Sequence, residues 1–232
     1  FAHVDNVTEF IECTKSLLKP EGVIVLEFPY LLDFIEGLEF DTVYFEHLSY
    51  FSIFPLLRLC RENGLKIIDI NKQNIHGGTI RVEIAKEGSI HSENTLNLNQ
   101  FDEFGYDTIE KYIQWADKVK QTIEEFSMQI LSLKKSGAKI AAFAASAKGN
   151  TLLNCSEMTT DIISYIADET PEKIGKFSPG NGIPIVNKQM LVTNPPDFLI
   201  ILSWNFQKEI MEKISKIYKG KYIIPIPRFT IL

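Results

Sequence analysis

The chain has 232 residues, 45% hydrophobic and 23% charged, enough for one large globular domain or two small ones. A formal charge of -6 argues against a general affinity for nucleic acid or an anionic membrane, although local basic spots could still hold a phosphate. No run of about eighteen apolar residues is present to span a bilayer, and no signal-peptide pattern follows Phe1. Cys13, Cys60 and Cys155 are odd in number, far apart and without a Cys-x-x-Cys. Neither a disulfide framework nor a metal site is therefore expected, and reduced thiols point to the cytoplasm. The abrupt opening, Phe1-Ala2-His3-Val4, suggests that further residues lie upstream.

Asp5 or Asn6 can cap a first helix carrying Val7, Phe10, Ile11, Leu17 and Leu18, which Lys19-Pro20-Glu21-Gly22 ends. Val23 to Phe28 reads as a strand buried on both faces. Ser52 can cap a second helix, with Pro55 in its first turn and Asn63-Gly64 as its stop. Leu65 to Ile70 and Thr79 to Ala85 read as strands flanking His76-Gly77-Gly78. Helix, strand, helix, strand, strand is the order of the second half of an open, mostly parallel sheet. Glu87 to Gln100 is polar and reads as a linker. Asp102 to Lys135 forms a long helical pattern through Tyr112, Trp115, Val119, Ile123, Phe126, Ile130 and Leu133. A second alternating unit follows, with strands at Lys139–Ala144, Ile162–Ala167, Phe198–Ser203 and Tyr222–Ile226. Helices are expected from Gly149 to Cys155 and from Gln207 to Tyr218, in a Rossmann-like β-α-β layer. The division expected is 1-88, a linker and long helix at 89-135, and 136-232.

Four segments carry candidate chemistry. Tyr44-Phe45-Glu46-His47 joins a phenol, a carboxylate and one of the four imidazoles of the chain. Imidazole is the usual group for moving a proton near neutral pH. In a straight strand Tyr44 and Glu46 would face away from His47, so a bend is needed; the alternative is a satisfied buried histidine. His76-Gly77-Gly78-Thr79-Ile80-Arg81 permits positive φ and close approach of backbone amides to a ligand, or is an ordinary hairpin turn. Ala141-Ala142-Phe143-Ala144-Ala145-Ser146-Ala147-Lys148-Gly149-Asn150-Thr151 leads from a strand into a helix. It is either an anion site or a tight packing corner, and it is neither a Walker loop nor Gly-x-Gly-x-x-Gly. Asp168 ends the next strand, where such folds bind ribose hydroxyls, or is a solvated turn residue. Lys176 lies in the loop that follows, and Trp204 ends another strand on the same ligand-facing edge.

Together these segments resemble the S-adenosylmethionine-dependent sugar C-methyltransferase family. The likeness runs nearly end to end. Phe1-Ala2-His3 is similar to the family's Asn-Val-Phe-Ala-His. Glu27-Phe28-Pro29-Tyr30 and Phe40 through Ser52 resemble its central block, and His76 through Arg81 its His-Gly-Gly-Ser-x-Arg. Ala147 through Asn154 and Pro179-Gly180 through Ile185 resemble its C-terminal domain. The family's four-cysteine zinc domain has no counterpart in this sequence, nor has the glycine-rich strand–turn that holds the methyl donor. Phe45 stands where a second histidine is common, and Asn181-Gly182 replaces Thr-His.

The resemblance implies the C-terminal half of a Rossmann-like methyltransferase domain followed by a second small Rossmann-like α/β domain. It also implies S-adenosylmethionine as cofactor and a nucleotide-diphosphate keto-deoxysugar as partner, methylated at a carbon beside its ketone. His47 is then the base, Glu46 orients the site, Tyr44 donates to the enolate oxygen and His3 holds the sugar. His76, Gly78, Arg81, Lys148, Asn150, Thr151, Asp168 and Lys176 are the substrate-binding candidates. A binding module that only captures the nucleotide sugar is the alternative; a dinucleotide-dependent dehydrogenase lacks its fingerprint glycines.

Overall fold

A computed structural model describes residues 1–73, 77–92, 101, 103 and 105–232. Asn6, rather than Asp5, caps helix α1 (Val7–Leu17), its side chain accepting from the Glu9 N–H at 3.1 Å. Strand β1 (Val23–Pro29) alternates, with Ile24, Leu26 and Phe28 buried and Val25 exposed. It is thus half-buried, a correction to the two-sided burial expected from its unbroken apolar run. Helices α2 (Leu31–Glu36) and α3 (Ile53–Glu62) follow, then strands β2 (Leu65–Gln73) and β3 (Thr79–Lys86). The sheet order is β1-β3-β2, with β3 antiparallel to both neighbours. Sequence order alone suggested mostly parallel pairing, but β3 runs antiparallel to both β2 and β1 and lies between them. Its inward residues Ile80, Val82 and Ile84 are fully buried and centre a core with Ile11, Ile53 and Leu56.

Ser52 stands at the N-terminus of α3 without making a side-chain cap. The buried Glu103 does so instead, accepting from the N–H groups of Ile53 at 2.5 Å and Phe54 at 3.0 Å, and from the Tyr30 hydroxyl at 3.0 Å. A carboxylate answers the positive end of a helix better than a hydroxyl does. Burial, with Glu103 beside it, pushes the Tyr30 phenol far above its usual range.

Helix α4 (Ile109–Lys135) starts later than Asp102, because Gly105 adopts positive φ and the Thr108 hydroxyl donates to its carbonyl in a turn. The expected linker and the expected helix start fall partly outside the described residues.

A six-stranded sheet comprises β4 (Ile140–Phe143), β5 (Ile166–Asp168), β6 (Ile185–Asn187), β7 (Phe198–Ile201), β8 (Lys221–Ile224) and β9 (Thr230–Ile231). Its order is β6-β5-β4-β7-β8-β9, and only β9 is antiparallel. Helices α5 (Ala147–Cys155), α6 (Met190–Thr193) and α7 (Gln207–Ile214) lie in the connections β4–β5, β6–β7 and β7–β8. From β4 the chain steps outward to β5 and β6, then returns to β7 on the other side of β4. The central pair β4–β7 is therefore the topological switch point, whose carboxyl ends are where ligands enter such sheets.

Two compact units result: Phe1–Gly37 with Phe45–Ile113, and Leu38–Tyr44 with Gln114–Leu232. Residues 38–44 thus belong with the second unit. Their 3-10 turn, Phe40–Thr42, packs on α5 and places Phe40 in the core of that unit.

Candidate active site

In the first unit the carbonyl of Ala2 accepts from the N–H groups of Leu48 at 3.0 Å and Ser49 at 3.3 Å. The ring of Phe1 stacks on Phe51 with centroids 4.3 Å apart and also meets Phe10 and Phe28. These contacts fasten the first residues of the chain along 48–51, so that His3 lies over His47, ring centroids 5.1 Å apart and planes within 24°. Tyr50 meets His47 edge-on at 6.2 Å and packs on Phe34 at 5.1 Å. His47 is half-buried; His3 and Glu46 are exposed. Two imidazoles 44 positions apart in sequence thus share one aromatic-lined surface. Phe45 is 94% exposed, and Tyr44, half-buried, closes the 38–44 segment, its N–H donating to the Thr42 carbonyl.

Other candidates prove to be engaged within the chain. Arg81 faces Glu27 across the β1–β3 ladder, its guanidinium donating to one carboxylate oxygen at 2.8 and 3.0 Å. Gly77 and Gly78 have positive φ, and a side chain on Gly78 would collide with Asp33, which pairs with Lys72 at 2.7 Å. The glycines thus serve the turn and the approach of Asp33. His76 lies outside the described residues.

In the second unit the turn from β4 to α5 is tied from several sides. Asp168 is buried, and its two oxygens accept from the N–H groups of Ala145 at 2.6 Å and Thr170 at 2.7 Å. These bonds hold the Asp168 carboxyl below its usual range despite the opposing effect of burial. Lys173 donates to the Ala145 carbonyl, and the Ser146 hydroxyl caps the Gly149 N–H. Ala144 takes φ 71°, uncommon for a residue with a side chain. Lys148 is almost covered; it pairs with Glu39 at 3.8 Å and sits 4.3 Å above the Trp204 ring. Asn150 and Thr151 extend along α5, the Thr151 hydroxyl donating to the Ala147 carbonyl, and Lys176 is exposed on its loop. Lys173, Glu39 and Glu103 were not singled out by the sequence, because each acts through a partner far along the chain.

Among the described residues no group of three or more His, Cys, Asp or Glu is placed to hold a metal, and no helix is long and apolar enough to cross a membrane.

Comparison with known proteins agrees with this architecture. Residues 74–227, about two thirds of the chain, match the family described as C-methyltransferase C-terminal domain. The chain belongs to that family. It is also similar to the C-methyltransferase NovU of Streptomyces niveus, with 29% identity over 232 residues, covering 98% of this chain. The chain spans about half, 55%, of that relative's length. The family match takes in all of the six-stranded sheet except β9, and the alignment with the relative covers nearly the whole chain.

Proposed function

We propose that this chain is the substrate-handling part of an S-adenosylmethionine-dependent C-methyltransferase acting on a nucleotide-linked keto-deoxysugar. The observation that carries this reading is the His3–His47 stack, held by the bonds from Leu48 and Ser49 to Ala2. Methylation at carbon needs a carbon nucleophile, and a ketone makes its neighbouring carbon acidic enough to supply one. His47 takes that proton, and the electron pair moves onto the ketone oxygen to give an enolate. Tyr44, three residues earlier in the chain, donates to that oxygen. A donor aimed at a developing oxyanion contributes roughly 3 kcal/mol to the transition state. Glu46 orients the site and His3 holds the sugar.

The methyl group would come from S-adenosylmethionine. This sequence carries no glycine-rich strand–turn fitted to that donor. For the diphosphate, Lys176, Asn150 and Thr151 are the proposed contacts. Lys148 is a weaker choice because Glu39 already answers its charge.

Calorimetry on the full-length protein tests the assignment. Binding of both thymidine diphosphate and S-adenosylmethionine, with product heavier by one methylene on incubation with the keto sugar, is the expected result. Binding of thymidine diphosphate alone, without methyl transfer, would reduce the chain to a nucleotide-sugar-binding module.

A further inference from the structure

The carboxyl ends of β4 and β7 form the crevice in which a sheet of this order receives its ligand. Here the chain's own residues 38–44 lie against it. Phe40 enters the core of the second unit, and the 3-10 turn packs on α5. Asp41, 0% exposed, accepts from the Trp204 indole N–H at 2.7 Å, just past the end of β7. Glu39, 5% exposed, pairs with Lys148 in the first turn of α5, and the same ammonium lies on the Trp204 ring. The Thr42 hydroxyl donates to the Glu39 carbonyl at 2.8 Å and closes the turn on itself. The other Asp41 oxygen is buried without a hydrogen-bond partner among the described residues. A carboxylate left half-satisfied in a core is costly, and hydrophobic packing of similar volume is often the more stable solution. Stability of the fold alone does not account for Asp41 at this position.

We propose that residues 38–44 are a built-in occupant of the switch-point crevice, and that Asp41 is a positioning residue that seats the segment ending in Tyr44. On this account the Rossmann-like unit uses its ligand-receiving edge to hold a piece of its own chain instead of a dinucleotide. Burying one carboxylate, Asp41, against an indole and another, Glu39, against an ammonium fixes the direction of the turn more narrowly than apolar contacts would. Tyr44 follows Asp41 by three residues, so the hold at Asp41 sets where its phenol begins. What is said of Tyr44 rests on the methyl-transfer reading; the occupied crevice does not.

Hydrogen–deuterium exchange on the full-length protein separates the two. Asp41→Ala should speed exchange of the 39–44 amides about tenfold or more, while β4 and β7 stay protected. Unchanged exchange in 39–44 would overturn the proposal. Should that variant fail to fold, Trp204→Phe, which removes only the indole donor, should give the same local opening. In turnover, Asp41→Ala should lower kcat about tenfold or more with KM for the sugar nucleotide within about threefold, and Asp41→Asn, which still accepts from Trp204, should recover part of it. A loss tracking only the folded fraction would mean a structural role and would also overturn the proposal. Local opening in a protein whose wild type transfers no methyl group would leave the seat standing and remove the methyl-transfer reading.

Discussion

The imidazole pair and the β4–α5 turn are both polar interruptions between apolar segments, yet the chain uses them in opposite ways. His3, exposed, and His47, half-buried, lie stacked on one surface, where backbone bonds from Leu48 and Ser49 to Ala2 hold the first residues in place. At the β4–α5 turn the charges are answered from within: Asp168 by two backbone N–H groups, Lys173 by a carbonyl, Lys148 by Glu39 and Trp204. On the proposed function, the first arrangement presents its imidazoles to the substrate. The second turns charge into architecture. Residue type at a strand end does not distinguish the two cases; the partner does.

The largest effect should separate these regions outright. His47→Gln in the full-length protein should cut methyl transfer about 10²–10⁴-fold, measured by methyl incorporation into the sugar. Its unfolding free energy should stay within about 1 kcal/mol of wild type. Asp168→Ala should do the reverse, costing about 2–4 kcal/mol in urea denaturation, because two buried backbone donors lose a charged acceptor. Asp168 is depressed in the folded state, so its contribution is complete above the unfolded value near 3.8 and is lost as pH falls through its lower folded value.

Asp41 sharpens the contrast because its sign is opposite. Burial, opposed by Lys148 and the Trp204 bond, raises its carboxyl from 3.8 to about 6. Between those values the native state holds a proton that the unfolded chain has released, so stability falls as pH rises from 4 to 6. Asp41→Asn should flatten that decline, worth about 1–3 kcal/mol, in urea titrations at several pH values. An unchanged pH profile would show that Asp41 is not the group responsible. The smallest effect is expected at Arg81. Its exposed pair with Glu27 should contribute less than about 1 kcal/mol, and Arg81→Ala should leave KM for the sugar nucleotide within about twofold in steady-state kinetics.

Much of the fold was legible because apolar period and turn chemistry coincide. The Phe126 and Ile130 stripe marks α4, and the fully buried Ile140–Phe143 run marks β4. The short β6 and β9, of three and two residues, offered too few positions for a period, and α2 is only six residues long. Half of the candidate site was visible: the Tyr44–His47 segment and His3 could be named from residue type and likeness. The stacking of His3 on His47 could not, since it depends on Ala2 bonding across 46 positions. Nor could the transfer of residues 38–44 to the second unit, which rests on an indole 163 residues from Asp41. Ser52 and Asn6 show the same limit at smaller scale. Both have the capping side chain, but only Asn6 makes the bond, because Glu103 reaches α3 from a distance.

The most direct test of His47 as the base needs no methyl transfer at all. In D₂O the full-length protein, given the keto sugar nucleotide without a methyl donor, should exchange the hydrogen beside the ketone for deuterium, followed by proton NMR. The wild type should catalyse that exchange, and His47→Ala should slow it to within a few-fold of the uncatalysed rate. Exchange by His47→Ala at the wild-type rate would contradict the assignment.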